Sequence, residues 1–104
     1  MKNMKANSGL AASFLKGLAS PNRLLILCEL ASGEKSVSEL IAATSIAQSS
    51  MSQHLNKLKD ERIIGFRREH RTLYYQIENE ATLKIMAVLY NEFCQEKTND
   101  DSDN

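Results

Sequence analysis

The sequence predicts a mainly α-helical domain carrying one small β-hairpin, and three features predict it. Residues 36–58, SVSELIAATSIAQSSMSQHLNKL, hold two helical periodicities separated by a short break. Residues 63–77 then change to a period of two, the spacing of half-buried strands. From about Glu80 to Cys94 the helical spacing returns. In chain order this gives five helices with a two-stranded hairpin between the fourth and fifth. The third and fourth helices form a helix-turn-helix and the hairpin lies beside them as a wing.

Residues 8–94 are expected to form this domain, with flexible tails at 1–7 and 95–104; the second tail, QEKTNDDSDN, has no apolar residue with which to pack. Leu10, Phe14, Leu15 and Leu18 mark the first amphipathic helix. Ser20-Pro21 then reads as an N-cap with proline at the first helical position, where its missing N–H costs nothing. The second helix, Pro21 to Ala31, carries Leu24, Leu27, Cys28 and Ala31 on one face, widened by Leu25, Ile26 and Leu30, and should be buried nearly all round before Ser32-Gly33 ends it. Ser36-Val37-Ser38-Glu39 is a capping box: the serine hydroxyl accepts from the Glu39 amide and the glutamate reaches back. Val37, Leu40 and Ile41 follow on the inward face.

In the fourth helix Met51, Leu55 and Leu58 recur at i, i+4, i+7 as a narrow core stripe. Ser50, Gln53, His54 and Lys57 occupy the opposite side, with Gln48, Ser49 and Ser52 at the helix start. Side chains of this kind, with almost no carboxylate among them, suit base edges and phosphates in a DNA major groove, although an ordinary solvated helix face shows the same spacing. In the wing, Leu73, Tyr75 and Ile77 alternate with Thr72, Tyr74 and Gln76. Its tip lacks Asn-Gly or Asp-Gly, which predicts a longer, mobile turn. Arg67, Arg68, His70 and Arg71 at that tip are placed to reach a phosphate backbone or minor groove. The last helix, capped by Asn79, bears Leu83, Ile85, Met86, Val88, Leu89, Tyr90 and Phe93, more apolar surface than one core face needs. Together with the first helix it is a candidate homodimer interface, which would present two recognition helices to an inverted-repeat operator.

The chain has 104 residues and 42% hydrophobic content, enough for one small core. Its 13 basic and 13 acidic residues cancel, but residues 1–28 carry no acid, residues 48–72 hold six basic against three acidic groups, and residues 92–104 hold five acids against Lys97 alone. Positive charge can therefore concentrate on the recognition element. No apolar run, neither Leu24 to Cys28 nor Ile85 to Tyr90, is long enough to span a membrane and no signal-peptide pattern opens the chain, so a soluble cytoplasmic protein without a membrane association is expected. An enzyme is not expected, since no glycine-rich phosphate loop or Cys-x-x-Cys pair occurs and no histidine lies beside a nucleophile.

The element order, together with SPNRLLIL at 20–27 and SQHLNKL at 52–58, resembles the ArsR/SmtB family of bacterial winged-helix repressors over about residues 8–94. Ala47 departs from it where related recognition helices often start on a capping Ser or Thr, and Glu61-Arg62 departs where a Gly often ends the helix. The resemblance implies a homodimeric repressor that binds operator DNA and releases it to an inducer. Metal-sensing members use a Cys-x-Cys pair before the recognition helix, or Asp and His along the last helix. Here the first location reads Ser38-Glu39-Leu40-Ile41 and the last helix has no His. Only Cys28, Cys94, His54 and His70 remain as soft or imidazole ligands, so no metal and no other cofactor is expected.

Cys28 in the second helix and Cys94 near the end of the last resemble the thiol-switch branch of the family, whose members respond to persulfide, polysulfide or general oxidants. That resemblance implies a redox switch in which the two thiols of one subunit are bridged and DNA is released. Read from residues alone, Cys28 also fits a small core residue beside Leu24 and Leu27, and Cys94 a helix-end residue. Glu92 and Glu96 flank Cys94 and oppose its thiolate, which favours Cys28 as the attacking thiol. Two further readings stand beside this one: a metal-responsive repressor of the same family, and a winged helix used only for protein contacts.

Overall fold

The computed structural model describes residues 4–94, with the Cys94 side chain outside the description. Residues 1–3 and 95–104, which make up most of the two expected tails, also lie outside the described residues. In order the chain forms α1 (Met4–Leu18), α2 (Pro21–Ala31), β1 (Lys35–Ser36), α3 (Val37–Thr44), α4 (Gln48–Asp60), β2 (Ile64–Glu69), β3 (Thr72–Ile77) and α5 (Glu80–Leu89), and a π-helical segment (Tyr90–Cys94) continues α5. This is the expected mainly helical fold with a hairpin wing. None of the described helices is long and apolar enough to cross a membrane.

The local signals act as their chemistry predicts. Ser20 caps α2 by accepting from the Arg23 amide, with Pro21 in the first turn. At α3 the capping box is complete: the Glu39 amide donates to Ser36 Oγ at 3.2 Å and the Ser36 amide to Glu39 Oε1 at 2.8 Å. Asn79 caps α5, its Oδ1 accepting from the Thr82 amide at 2.7 Å and from Thr82 Oγ1 at 2.9 Å. The core gathers Ile26 and Leu27 of α2, Leu40 of α3, Met51, Leu55 and Leu58 of α4, and Ile63 and Ile64 at the start of the wing, each at most 2% exposed. Every such side chain contributes roughly 1.5–3 kcal/mol by leaving water.

Three details differ from the sequence expectation. The helix α2 is not buried all round: Leu25 is 48% exposed, and Leu24 and Cys28 are only partly covered. It packs on α3, β3 and α5, which shield one side and leave the Leu25 flank to solvent. Second, the hairpin is part of a three-stranded antiparallel sheet in the order β1-β3-β2, because Lys35 and Ser36 pair with Tyr75 and Tyr74. Two residues carry no periodicity, so this strand exists only because β3 offers an edge. Third, the tip is short: Glu69 pairs with Thr72, leaving His70 and Arg71 as a two-residue turn, with His70 at φ 58° supplying the left-handed conformation usually given to Asn or Gly.

The end of α4 is closed without glycine. Arg62 sits at φ 62°, its amide donates to the Lys59 carbonyl at 2.9 Å, and the next amide, Ile63, donates to the Leu58 carbonyl at 3.0 Å. These are the paired bonds of a Schellman motif, with buried Ile63 against buried Leu58 as its apolar contact. An L-residue in that conformation costs about 1–2 kcal/mol, of which glycine's extra unfolded-state freedom would return about 0.5–1 kcal/mol. Arg62→Gly is therefore expected to raise stability by about 0.5–1 kcal/mol in urea unfolding; a fall in stability would mean that the arginine side chain itself supports the turn.

Candidate nucleic-acid interface and thiol groove

The helix α4 is presented by what lies under it. Met51, Leu55 and Leu58 anchor one face, and the turn before it is fixed by Ser45 at φ 64° and by buried Ile46, whose amide donates to Thr44 Oγ1 at 3.2 Å. Ala47 makes no side-chain cap, as its identity requires. Of the expected contact residues, Gln48, Ser49, Ser52, Gln53 and Lys57 are exposed, while Ser50 and His54 are half-buried on the flank. The exposed ridge also contains Asn56, which the sequence reading does not single out. Its position, three and four residues beyond Gln53 and Ser52, is the signal that could find it. Lys57 lies 3.8 Å from Glu61, a loose exposed pair, and Lys59 stands over the Phe66 ring at 5.5 Å, joining the end of α4 to the wing.

The register of the wing separates its two arginines. Side chains alternate across a strand, and the pairs Ile64–Ile77, Phe66–Tyr75 and Arg68–Leu73 share one face while Arg67–Tyr74 belongs to the other. Phe66 packs on Tyr75 with ring centroids 5.7 Å apart, and Lys59 reaches the same ring from α4. Arg68 therefore extends the face turned toward α4, and among the described residues no carboxylate pairs with it or with Arg71. Burial pushes the Tyr75 phenol above its ordinary value and keeps it neutral.

Arg67 is held on the opposite face. Its Nη2 meets Glu34 Oε2 at 2.6 Å, its Nε meets Glu34 Oε1 at 3.0 Å, its Nη1 meets Glu69 Oε1 at 2.8 Å, and its guanidinium carbon lies 4.7 Å from the Tyr74 ring centroid. The hydrogen bonds to Glu34 and Glu69 raise the Arg67 pKa, and the bond from Arg67 holds the Glu34 carboxyl below its ordinary value. Because the folded-state carboxyl is the stronger acid, the tie is in place above the ordinary carboxylate range and is lost only as pH falls through the depressed value.

Between α2 and α5 lies a second feature. Half-buried Cys28 lines two adjoining cavities, one of about 420 Å³ bordered also by Ala31, Leu83, Met86 and Tyr90, the other of about 290 Å³ bordered by Leu24, Met86, Leu89, Tyr90 and Phe93. Their walls are mainly aliphatic and aromatic. Cys94 ends the π-helical segment that begins at Tyr90; its side chain lies outside the described residues. Large apolar groups of α1 and of the last helix are open to solvent, among them Leu10 at 75%, Val88 at 60% and Phe93 at 79%. His54 sits on α4 and His70 in the wing turn, and among the described residues no three His, Cys, Asp or Glu side chains converge as metal ligands would.

Residues 20–65 match the family model of bacterial regulatory proteins of the arsR family. The HTH-type transcriptional regulator YgaV of Escherichia coli (strain K12) is 39% identical over 95 residues, which cover 90% of this chain and 96% of that protein. Nodulation protein NolR of Rhizobium meliloti is 41% identical over 80 residues, covering 77% of this chain and 66% of NolR. Among solved structures, reduced HlyU from Vibrio cholerae N16961 superposes with a TM-score of 0.84 at 34% identity, covering 91% of this chain and all of that one.

The placement of α5, and hence of both cavities, depends on Asn79. Replacing it by alanine removes the cap and leaves the fully buried Thr82 hydroxyl without its acceptor. Asn79→Ala is expected to cost about 1–3 kcal/mol in urea unfolding; a change under about 0.5 kcal/mol would show that solvent or a neighbouring carbonyl replaces the cap.

Proposed function

The chain belongs to the arsR family of bacterial regulatory proteins, and from that premise we propose that it acts as a homodimeric repressor which releases its operator when Cys28 and Cys94 are oxidised or bridged by reactive sulfur. As a member of that family it is a DNA-binding transcriptional regulator with a winged helix-turn-helix. The observation that carries the finer reading is the position of Cys28: half-covered between α2 and α5, opening on apolar cavities that Tyr90 and Phe93 of the Cys94-bearing segment also line. A thiol there has room for a small sulfur compound or peroxide, and a bridge between the two helices would alter how α2 and α5 pack.

The reaction balances in either case. With a persulfide, the Cys28 thiolate attacks the outer sulfur and releases the carrier thiolate, and the Cys94 thiolate then displaces hydrosulfide to leave a disulfide; if a second carrier persulfide first converts Cys94 to its own persulfide, releasing another carrier thiolate, the Cys28 persulfide displaces hydrosulfide from it and leaves a trisulfide. With a peroxide, Cys28 becomes a sulfenic acid as the O–O bond breaks, and Cys94 condenses with it to release water. The apolar faces of α1 and of the last helix supply the surface for a twofold partner, which would place two copies of α4 in successive major grooves of an inverted repeat. In each copy Gln48, Ser49, Ser52, Gln53 and Asn56 face base edges, Ser50 and His54 line the flank, and Lys57, Arg68, His70 and Arg71 meet phosphates.

Two measurements test this reading. Gln53→Ala should cost about 1–3 kcal/mol on the operator and much less on random duplex. Arg68→Gln should weaken both and flatten the salt dependence by about 0.9 for each phosphate no longer neutralised. Equal weakening on both duplexes for Gln53→Ala would remove it from base reading. In fluorescence anisotropy, reduced wild-type protein should bind the inverted repeat upstream of its own gene and release it on polysulfide treatment, with recovery after a thiol reductant. Cys94→Ser should bind normally and stay bound after polysulfide; normal release by that variant would sink the bridged-thiol mechanism.

A further inference from the structure

The wing contains an electrostatic contact that the operator-binding reading does not use. Arg67 is the described cation with the most complete set of acidic partners, and its principal partner, Glu34, lies 33 residues away in the chain. Glu34 is not held there by chance. It sits in the turn between α2 and β1, and Lys35 beside it ties that turn down by donating from Nζ to the Glu29 carbonyl at 3.2 Å and to Ser32 Oγ at 3.1 Å. The strand order β1-β3-β2 then sets the span: Ser36 pairs with Tyr74, and Tyr74 with Arg67. The guanidinium lies across the Tyr74 ring and meets the Glu34 carboxylate with Nε and Nη2 together.

That fork is the geometry with which arginine grips two oxygens of a phosphate. We propose that Glu34 is a resident stand-in for a DNA phosphate, occupying the Arg67 fork in the unbound protein so that operator phosphate must displace it. The side chains are exposed, 48% for Arg67 and 39% for Glu34, so water and salt weaken the pair and leave it exchangeable. Glu69 takes the remaining Nη1 and keeps the guanidinium oriented while the fork changes partner. The consequence is a damped wing: each subunit carries an arginine whose charge is masked against nonspecific DNA and comes into play only where the duplex approaches closely enough to compete. The proposal rests on the operator-binding part of the function above and is independent of the two cysteines.

The test is operator affinity across a salt series for the full-length protein and four variants: Glu34→Gln, Arg67→Gln, the two combined, and Glu69→Gln. Glu34→Gln should bind roughly tenfold tighter at 0.1 M salt, with a salt dependence steeper by about 0.9 per subunit, the signature of one further phosphate neutralised. Arg67→Gln, which removes the fork that the phosphate would enter, should bind operator no tighter than wild type, and adding Glu34→Gln to it should bring no tightening. Glu69→Gln, which leaves the fork occupied, should tighten binding less than Glu34→Gln. Four outcomes would overturn the proposal: unchanged or weaker binding by Glu34→Gln, a tightening that persists without Arg67 and so reflects simple like-charge repulsion, tighter binding by Arg67→Gln alone, or a larger tightening from Glu69→Gln. Wild-type protein that binds no operator at any salt would instead refute the operator-binding reading itself, which separates the two failures.

Discussion

Ile63 is the point on which the arrangement depends. Its amide closes α4 by donating to the Leu58 carbonyl at 3.0 Å, and its carbonyl accepts from the Glu78 amide at 3.0 Å and the Asn79 amide at 3.3 Å, where β3 ends and α5 begins. Its side chain is 1% exposed within the core. One residue thus fixes the end of the recognition helix, the start of the wing and the start of the last helix. An opening of these bonds would leave buried backbone groups unpaired, at about 1–3 kcal/mol for each. The ends of the three elements are therefore tied to one another at this residue.

The wing shows how a chain with no formal net charge can still present a cationic surface. Charge is sorted by the pleat: Arg67 is turned to the face where Glu34 and Glu69 meet it, whereas Arg68 extends the face beside α4. Lys59 over Phe66 and Phe66 against Tyr75 join the end of α4 to the wing through a cation–π contact and a ring pair rather than through an ion pair.

On the far side, the groove between α2 and α5 is a consequence of incomplete coverage. A helix packed on one side by α3, β3 and α5 retains a flank, and Leu25, Leu24 and Cys28 lie along it. The same shortage of partners leaves the apolar residues of α1 and of Val88 to Phe93 exposed. In the proposed dimer this uncovered apolar surface is what the second copy would cover.

What the sequence determined by itself is everything whose cause lies within one turn of helix or one strand. The capping box at Ser36, the proline after Ser20, the Asn79 cap, the Met51–Leu55–Leu58 stripe and the alternation through Leu73, Tyr75 and Ile77 each stand where their local chemistry put them. Even the family motifs, SPNRLLIL and SQHLNKL, are local strings. Tertiary structure alone decided the features that need a distant partner. The strand at Lys35–Ser36 exists because β3 presents an edge to it, and the two-residue tip at His70–Arg71 because the register on either side brings the strands together without glycine. Arg62 is held left-handed by the burial of Ile63 after it. The grip of Glu34 on Arg67 spans 33 residues and three strands, and no spacing rule reports such a contact, because its energy arises only after the sheet has formed.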